Sequence, residues 1–491
     1  MTLDLFCLFQ VTFLSLRYVL YVRIKLIFSF LTSLLLLSTL SCSSTKETLN
    51  ITTHRIEKCP GEIVPTNLKV DCYRYENGDS STAFALLKSS KKGKEPVLFL
   101  HGGPGGRALK DRHIWLSPKS KILDSHDLIL LDQKGSGESE PSLDCLETDD
   151  GLNGESISAC RARLSAQGIN FSAYQIEKIA EEIVDLRVSL GIKKWNLYGV
   201  SFGSRIALEL MDIDGTSVNT VVLDSPLPSH VPAYDSLPQA SERAIKLTLE
   251  KCEERKECDF SLLTQPIFDC SYIKNQISNC LEDLLRQLDE SPVTYSDGNA
   301  VISIDDSVFA LELVNTLAHP EGVSVVPRAV MLALDGKIAE AMNSLFTINV
   351  EGYSKGDKLS EGAQFSSECL DELPKNNPAI ESYQTSLASA LSERERVLQE
   401  ICKIWINVSP SSNEPSVNPK SFDSKALILS GSLDPITPSE WAVKTKEILP
   451  NAILVIRDEW THAPSLSDPC AKELVSHFFS TGHLKSNTSS C

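Results

Sequence analysis

Short apolar runs separated by polar, glycine-bearing turns recur through the first half of the chain and again near its end. Pro96–Leu100, Asp127–Leu131, Lys194–Tyr198 and Val218–Asp224 are followed, much later, by Ala426–Ser430 and Ala452–Ile456. Each is too short for a helix and too continuously apolar for a strand with one wet face. Each is therefore predicted as a strand buried on both sides. Between the second and third runs, Ala173–Leu190 carries Ile176, Ile179, Ala180, Ile183, Leu186 and Leu190 at helical spacing, and Gly191 follows as a stop. This alternation predicts an α/β fold, with a mostly parallel sheet and helices on both faces. Upstream, residues 62–90 alternate apolar and polar positions, as in Thr82–Leu87, which predicts antiparallel strands.

From about Pro226 to Pro419 the strand rhythm lapses. Helical spacing dominates in Ser241–Glu254, Ile273–Leu288, Val326–Phe346 and Ile380–Val408. A core that is interrupted and then resumes implies an insertion lying over the sheet rather than a tandem domain; an independent domain is the other reading. The expected organisation is a signal segment at 1–41, a tether and N-terminal strands at 42–92, the first part of the core at 93–225, a helical cap at 226–420, and the C-terminal part of the core at 421–491.

The signal expectation comes from the first residues. Leu5 to Leu40 is almost continuously apolar, broken by Arg17, Arg23 and Lys25, and ends in Ser38-Thr39-Leu40-Ser41-Cys42. Basic residues, an apolar run and small residues at a cut site predict export. Cys42 stands where a lipoprotein signal carries its lipid-bearing cysteine, which would anchor the mature chain to a membrane; an uncleaved anchor is the alternative. Apart from Cys7 and Cys42 the chain has twelve cysteines, Cys59, Cys72, Cys145, Cys160, Cys252, Cys258, Cys270, Cys280, Cys369, Cys402, Cys470 and Cys491. An even set in an exported chain predicts disulfides. Pairing of sequence neighbours is the simplest arrangement, although spacing alone leaves connectivity open. None of the spacings suits a zinc site. The formal net charge of −18 argues against a nucleic-acid partner.

The chemistry centres on Gly199-Val200-Ser201-Phe202-Gly203, at a predicted strand-to-helix turn. A serine between two glycines in that context is the pattern of an exposed nucleophile, with the glycines relieving steric conflict in a tight turn. An activated serine needs a base, and the base needs an orienting acid. Asp434, in Gly431-Ser432-Leu433-Asp434-Pro435-Ile436-Thr437-Pro438, follows the Ala426–Ser430 strand. His462 follows the next strand. Loops after parallel strands share one edge of the sheet, so Ser201, Asp434 and His462 are predicted to converge. Asp224, which also ends a strand, is the competing acid. His230 and His319, inside the insertion, are weaker candidates for the base. His101-Gly102-Gly103-Pro104-Gly105-Gly106 ends another strand and suits an oxyanion turn, with His101 orienting the loop rather than reacting. Pro104 has no N–H, which leaves Gly103 and Phe202 as the amide donors; such a donor contributes about 10²–10³-fold. No Gly-Lys-Ser/Thr follows the glycines, so neither a nucleotide nor any other cofactor is expected.

Taken together, HGGPGG, DQKGSGES at Asp132–Ser139, GVSFGS, GSLDPITP and a late histidine resemble the α/β-hydrolase serine peptidases of the prolyl and tripeptidyl aminopeptidase group. The resemblance covers roughly residues 93–228 and 365–475. GVSFGS is closer to the tripeptidyl branch. Cys369 and Cys402, with Trp405 after them, resemble the secreted tripeptidyl-type members, and the resemblance implies that these two cysteines form a disulfide. Lys134 departs from the arginine common at its position, and Thr461 and Ala463 replace the glycines often flanking the histidine. The resemblance implies an exported serine exopeptidase acting on peptides with a free N-terminus, with a cap carboxylate pairing the substrate ammonium. An esterase or lipase on the same scaffold is the alternative.

Overall fold

Period-two alternation divides the apolar strands between two cores, so every side chain of a continuous run is buried. Leu98, Leu100, Ile129, Leu131, Leu197 and Ile428 belong to one cluster, and Val97, Phe99, Leu128, Leu130, Tyr198 and Leu427 to the other. In the computed structural model the described residues are 54–484, except 56–57, 60–68, 90, 92–93, 117–120, 150, 257, 259–275, 297–300, 353–358, 374–382 and 407–423. The signal segment 1–41, Cys42 and the tether up to residue 53 lie outside them, as do Cys270 and Cys491.

The strands run in chain order as β1 (His54–Arg55), β2 (Val70–Asn77), β3 (Ser80–Leu87), β4 (Val97–Leu100), β5 (Leu128–Leu131), β6 (Trp195–Val200) and β7 (Val218–Asp224). A hairpin of β8 (Val293–Ser296) and β9 (Val301–Ile304) stands apart, and β10 (Lys425–Gly431) and β11 (Ile453–Arg457) rejoin the main sheet. The sheet order is β1-β2-β3-β5-β4-β6-β7-β10-β11. Pairs from β5 across to β11 are parallel, and those from β1 to β5 through β3 are antiparallel. One face is covered by the helices Ile176–Ser189 and Phe202–Asp214, the other by Pro469–Thr481 and the segment around Trp115. Burial of each Leu or Phe contributes about 1.5–3 kcal/mol, which makes both layers integral to stability.

Between β7 and β10 the chain is mainly helical, with an apolar cluster of its own drawn from residues 244–391. Two long helical expectations are broken. Val326–Phe346 becomes Gly322–Leu334 and Ile338–Gly352, separated at Gly336, which adopts φ 74°. Ile380–Val408 becomes Ser386–Leu391 and Glu393–Trp405, parted at Ser392. The β8–β9 hairpin was not expected in this region. A further cluster joins Cys145, Ile157 and Cys160, from the segment after β5, to Phe365, Cys369 and Trp405. The layer over the sheet thus also draws on residues before β6.

Disulfides link Cys59–Cys72, Cys145–Cys160, Cys252–Cys258 and Cys369–Cys402, each pair neighbours in the cysteine order. Cys280 and Cys470 are disulfide-bonded as well. Among the described residues no helix is long and apolar enough to cross a membrane.

Candidate active site

β6 ends at Val200 and a helix begins at Phe202, so Ser201 forms the turn by itself, with φ 53° and ψ −125°. A non-glycine residue held there stores on the order of 1–3 kcal/mol. The surroundings enforce it. Ser201 N donates to Asp224 O at 2.9 Å, and Ser201 O accepts Ser204 N at 2.8 Å and the Ser204 hydroxyl at 2.5 Å. Both flanking glycines are sterically required. A Cβ at Gly203 would stand 2.0 Å from Leu100 O at the end of β4, and one at Gly199 would stand 2.5 Å from Gly203 O.

The β10 loop folds around its own acid. Asp434 Oδ1 accepts the backbone N–H groups of Ile436 (2.9 Å) and Thr437 (2.8 Å). Its Oδ2 accepts the Thr437 hydroxyl (2.7 Å) and faces His462 Nδ1 at 2.9 Å. This is the turn that an Asp before Pro and Thr favours. Trp460 O accepts Leu433 N at 3.1 Å, which draws the histidine loop against the acid loop. Burial opposes charge on the His462 ring, but the Asp434 carboxylate outweighs it and holds the imidazole pKa above 6.5. Burial would also raise Asp434. The His462 charge, and hydrogen bonds from His462 and Thr437, keep it below the usual carboxylate value.

Asp224, the competing acid, is fully buried and bonds Ser465 instead, accepting its backbone N–H at 2.8 Å and its hydroxyl. Burial raises its pKa to about 7. Neighbouring Ser225 accepts the Ala463 N–H at 2.9 Å, bracing the residue after His462. Ser201, Ser225 and Ala463 all adopt positive φ at this edge of the sheet.

Ser201, His462 and Gly103 line one cavity of about 890 Å³ beneath the helical layer, while Asp434 lies buried behind His462. The His101–Gly106 turn lies directly against the serine, since a Cβ at Gly102 would stand 3.6 Å from Ser201 Oγ. Gly103 has φ 121°. Phe202 buries its side chain in the core and opens the helix with its amide beside Ser201. His101 is engaged at both nitrogens, with Nε2 2.9 Å from Asp111 Oδ2 and Nδ1 3.2 Å from Gly102 O. Gln133 Nε2 donates to His101 O at 2.7 Å. Asp132 turns inward to accept Leu109 N and Glu138 N, both at 2.9 Å. Lys134 pairs with buried Glu182 at 3.0 Å.

Sequence reasoning missed several of these partners. Thr437 was legible, because an Asp three residues earlier in a proline turn signals a side-chain-capped loop. Asp111, Ser225 and Ser465 carry no such signal. His319, a weaker candidate for the base, also lines the cavity. From the layer, Tyr234, Gln364 and Arg394 line it too. Behind Tyr234 and Gln364 lies Glu368, which accepts the tyrosine hydroxyl at 2.8 Å and the amide at 3.2 Å. A turn-held hydroxyl sharing a cavity with a carboxylate-backed imidazole and a glycine turn is an arrangement suited to acyl transfer.

Comparison with known proteins gives the same architecture. A family described as alpha/beta hydrolase fold matches residues 95–248, and one described as TAP-like protein matches residues 390–491. The chain has the α/β-hydrolase fold. The chain is 23% identical over 425 residues to a putative hydrolase, YuaR, of Escherichia coli, covering 80% of the chain and 79% of the relative. It is 29% identical over 146 residues to a probable proline iminopeptidase of Streptomyces coelicolor, covering 30% of the chain and 37% of the relative. Among solved structures, a serine hydrolase from Cycloclasticus zankles superposes with a TM-score of 0.38 at 15% identity, over 84% of the chain and 98% of that protein.

Proposed function

We propose that this α/β hydrolase is a serine exopeptidase that releases short pieces from the free N-termini of peptides, in the manner of the tripeptidyl or prolyl aminopeptidases. The observation that carries the reading is the buried Asp434 carboxylate 2.9 Å from His462 Nδ1, in a cavity that Ser201 also lines. In this mechanism His462 Nε2 takes the proton of Ser201 as the hydroxyl attacks the scissile carbonyl. The same nitrogen returns that proton to the leaving amine. Asp434 fixes the tautomer and stabilises the imidazolium, and the Gly103 and Phe202 amides receive the developing oxyanion. Water then repeats the sequence on the acyl-enzyme.

Three features support peptides as substrates. Distant proline iminopeptidase relatives match 23–30% of the chain. Asp111 and Glu395, each already holding one side-chain partner, line the cavity with Glu368 behind it, so acids stand where an ammonium-bearing substrate would need one. Residues of the insertion's helices, Leu237, Val314 and Arg394 among them, line the cavity along with Ser201, an arrangement that suits ends rather than the middle of chains. Export belongs to the same reading, since four described disulfides are stable in oxidising compartments. Membrane attachment through Cys42 is part of the proposal as well.

The test is a panel of aminoacyl-peptide anilides, their N-acetylated counterparts and acyl esters, with fluorophosphonate labelling of wild type and Ser201→Ala. Labelling that vanishes in the variant, with cleavage confined to free amines, supports the reading. Cleavage of esters alone, indifferent to the amine, replaces it with an esterase.

A further inference from the structure

Arg394 occupies a position that local energetics disfavour. It is the second residue of the Glu393–Trp405 helix, where the positive end of the helix dipole repels a cation. Its acidic neighbours in sequence are engaged elsewhere, Glu393 with Arg396 at 2.7 Å and Glu395 with Gln399 at 3.0 Å. Arg394 is nevertheless half-buried, and it lines both the main cavity and an adjoining one of about 340 Å³ that Glu368 also lines. Burial raises the Glu368 pKa, and the Arg394 charge is the chief influence pulling it back; the same charge is felt at His462. The guanidinium charge therefore reaches both the buried acid and the candidate base.

Other cations of the wall differ. Arg107, for instance, is paired with Asp144 at 2.9 Å. For Arg394 no carboxylate among the described residues lies within ion-pair distance. A half-buried guanidinium at a helix start, facing a cavity and balanced only at longer range by Glu368, breaks a local rule. Such violations mark functional positions. The guanidinium fork matches a carboxylate in two parallel hydrogen bonds, a geometry lysine cannot reproduce.

We propose that Arg394 is the anion subsite of this cavity and receives a carboxylate of the peptide substrate, supplied by its C-terminus or by an Asp or Glu side chain. The inference rests on the peptidase reading for its substrate class. A chain carrying a net charge of −18 repels anions at long range. A cation inside the cavity restores selectivity for them where it matters. A cavity of about 890 Å³ falls in the range that encloses a whole small ligand, so both ends of a short peptide can be read at once. Selection of a free C-terminus would make the enzyme one that finishes short peptides. Selection of an acidic side chain would make it residue-specific.

The experiment uses the Ser201→Ala protein and calorimetric titration with four tetrapeptides, all with a free N-terminus. Two are neutral in their side chains and end in a free or an amidated C-terminus. Two are amidated and differ only by Glu or Gln. The expected result is at least a tenfold tighter Kd for the carboxylate-bearing member of one pair, and the pair names the source. In Ser201→Ala/Arg394→Gln that ratio falls to within twofold of unity, and in Ser201→Ala/Arg394→Lys it is cut several-fold. Thermal unfolding of each double variant checks that it is folded. Ratios near unity in the parent, no binding of any of the four, or a large ratio that survives Arg394→Gln overturns the subsite. Turnover by wild type separates the two readings, because ester hydrolysis without peptide cleavage, alongside intact discrimination in binding, defeats the peptidase and leaves the subsite standing.

Discussion

Gly203→Ala tests the link between the elbow's packing and its chemistry. The added methyl would stand 2.0 Å from Leu100 O, 2.6 Å from Leu100 C and 2.8 Å from His101 O, all backbone atoms of the strand end that leads into the glycine turn. No rotamer change relieves such a contact. To reach the roughly 3.4 Å at which ordinary contact begins, the helix start and β4 must part by about 1.4 Å. Overpacking of this kind costs about 1–3 kcal/mol. The displaced atoms include the Phe202 amide and the turn at Ser201, and a misplacement of about 1 Å lowers the rate about 10²-fold. The second-order rate of fluorophosphonate labelling is therefore expected to fall about 10²-fold, with a lowered melting temperature. Gly215→Ala is the control. Its added Cβ meets nothing within 4 Å and its φ is −55°, so it should label normally and melt at or slightly above the parent. If Gly203→Ala labels at the parental rate and melts within about 1 °C of the parent, the steric account of the elbow is wrong.

Asp434→Asn should lower kcat on the best substrate about 10⁴-fold with little change in fold, since the amide stabilises the wrong His462 tautomer; a loss below tenfold would remove Asp434 from the mechanism. The acid limb of kcat/KM should have its midpoint above 6.5, because Asp434 outweighs burial at His462 and activity needs the neutral ring. A midpoint below 6.5 contradicts this. The same pair contributes to stability in the opposite sense. The raised His462 pKa gives stabilisation that is complete below 6.5 and lost as pH rises through the folded value. The lowered Asp434 pKa gives stabilisation that is complete above about 3.8 and lost as pH falls through the folded value, so urea midpoints should decline on both sides. Replacing Cys369 and Cys402 by serine opens a link of sequence separation 33 and should cost about 3–4 kcal/mol in urea unfolding. It should also weaken substrate binding, since Glu368 and Arg394 sit on the two segments that the bond ties. An unchanged KM would dissociate the link from the cavity.

The parallel core was legible because burial on both faces forces continuous apolar runs, and few other structures demand them. The elbow was legible for a similar reason. Only glycine fits at 199 and 203, so a steric need is written in residue type. Asp434 and His462 could be placed at one edge of the sheet because loops after parallel strands must emerge there. The same rule left Asp224, which also ends a strand, as the competing acid behind Asp434. The separation lies in a partner more than two hundred residues away, where Ser465 takes the Asp224 carboxylate and leaves His462 to Asp434. The long helices of the insertion were overextended because Gly336 and Ser392 break patterns that look continuous.

By itself the sequence determined the sheet, the turn at Ser201 and the edge at which acid, base and glycine loop emerge, because each follows from steric or burial demands acting over a few residues. Tertiary structure alone decided that Ser465 holds Asp224, that Asp111 holds His101, and that Arg394 lines the cavity with Glu368 behind it. Those contacts join segments far apart in the chain, and their energies depend on distance and burial in space. No spacing along the sequence encodes either.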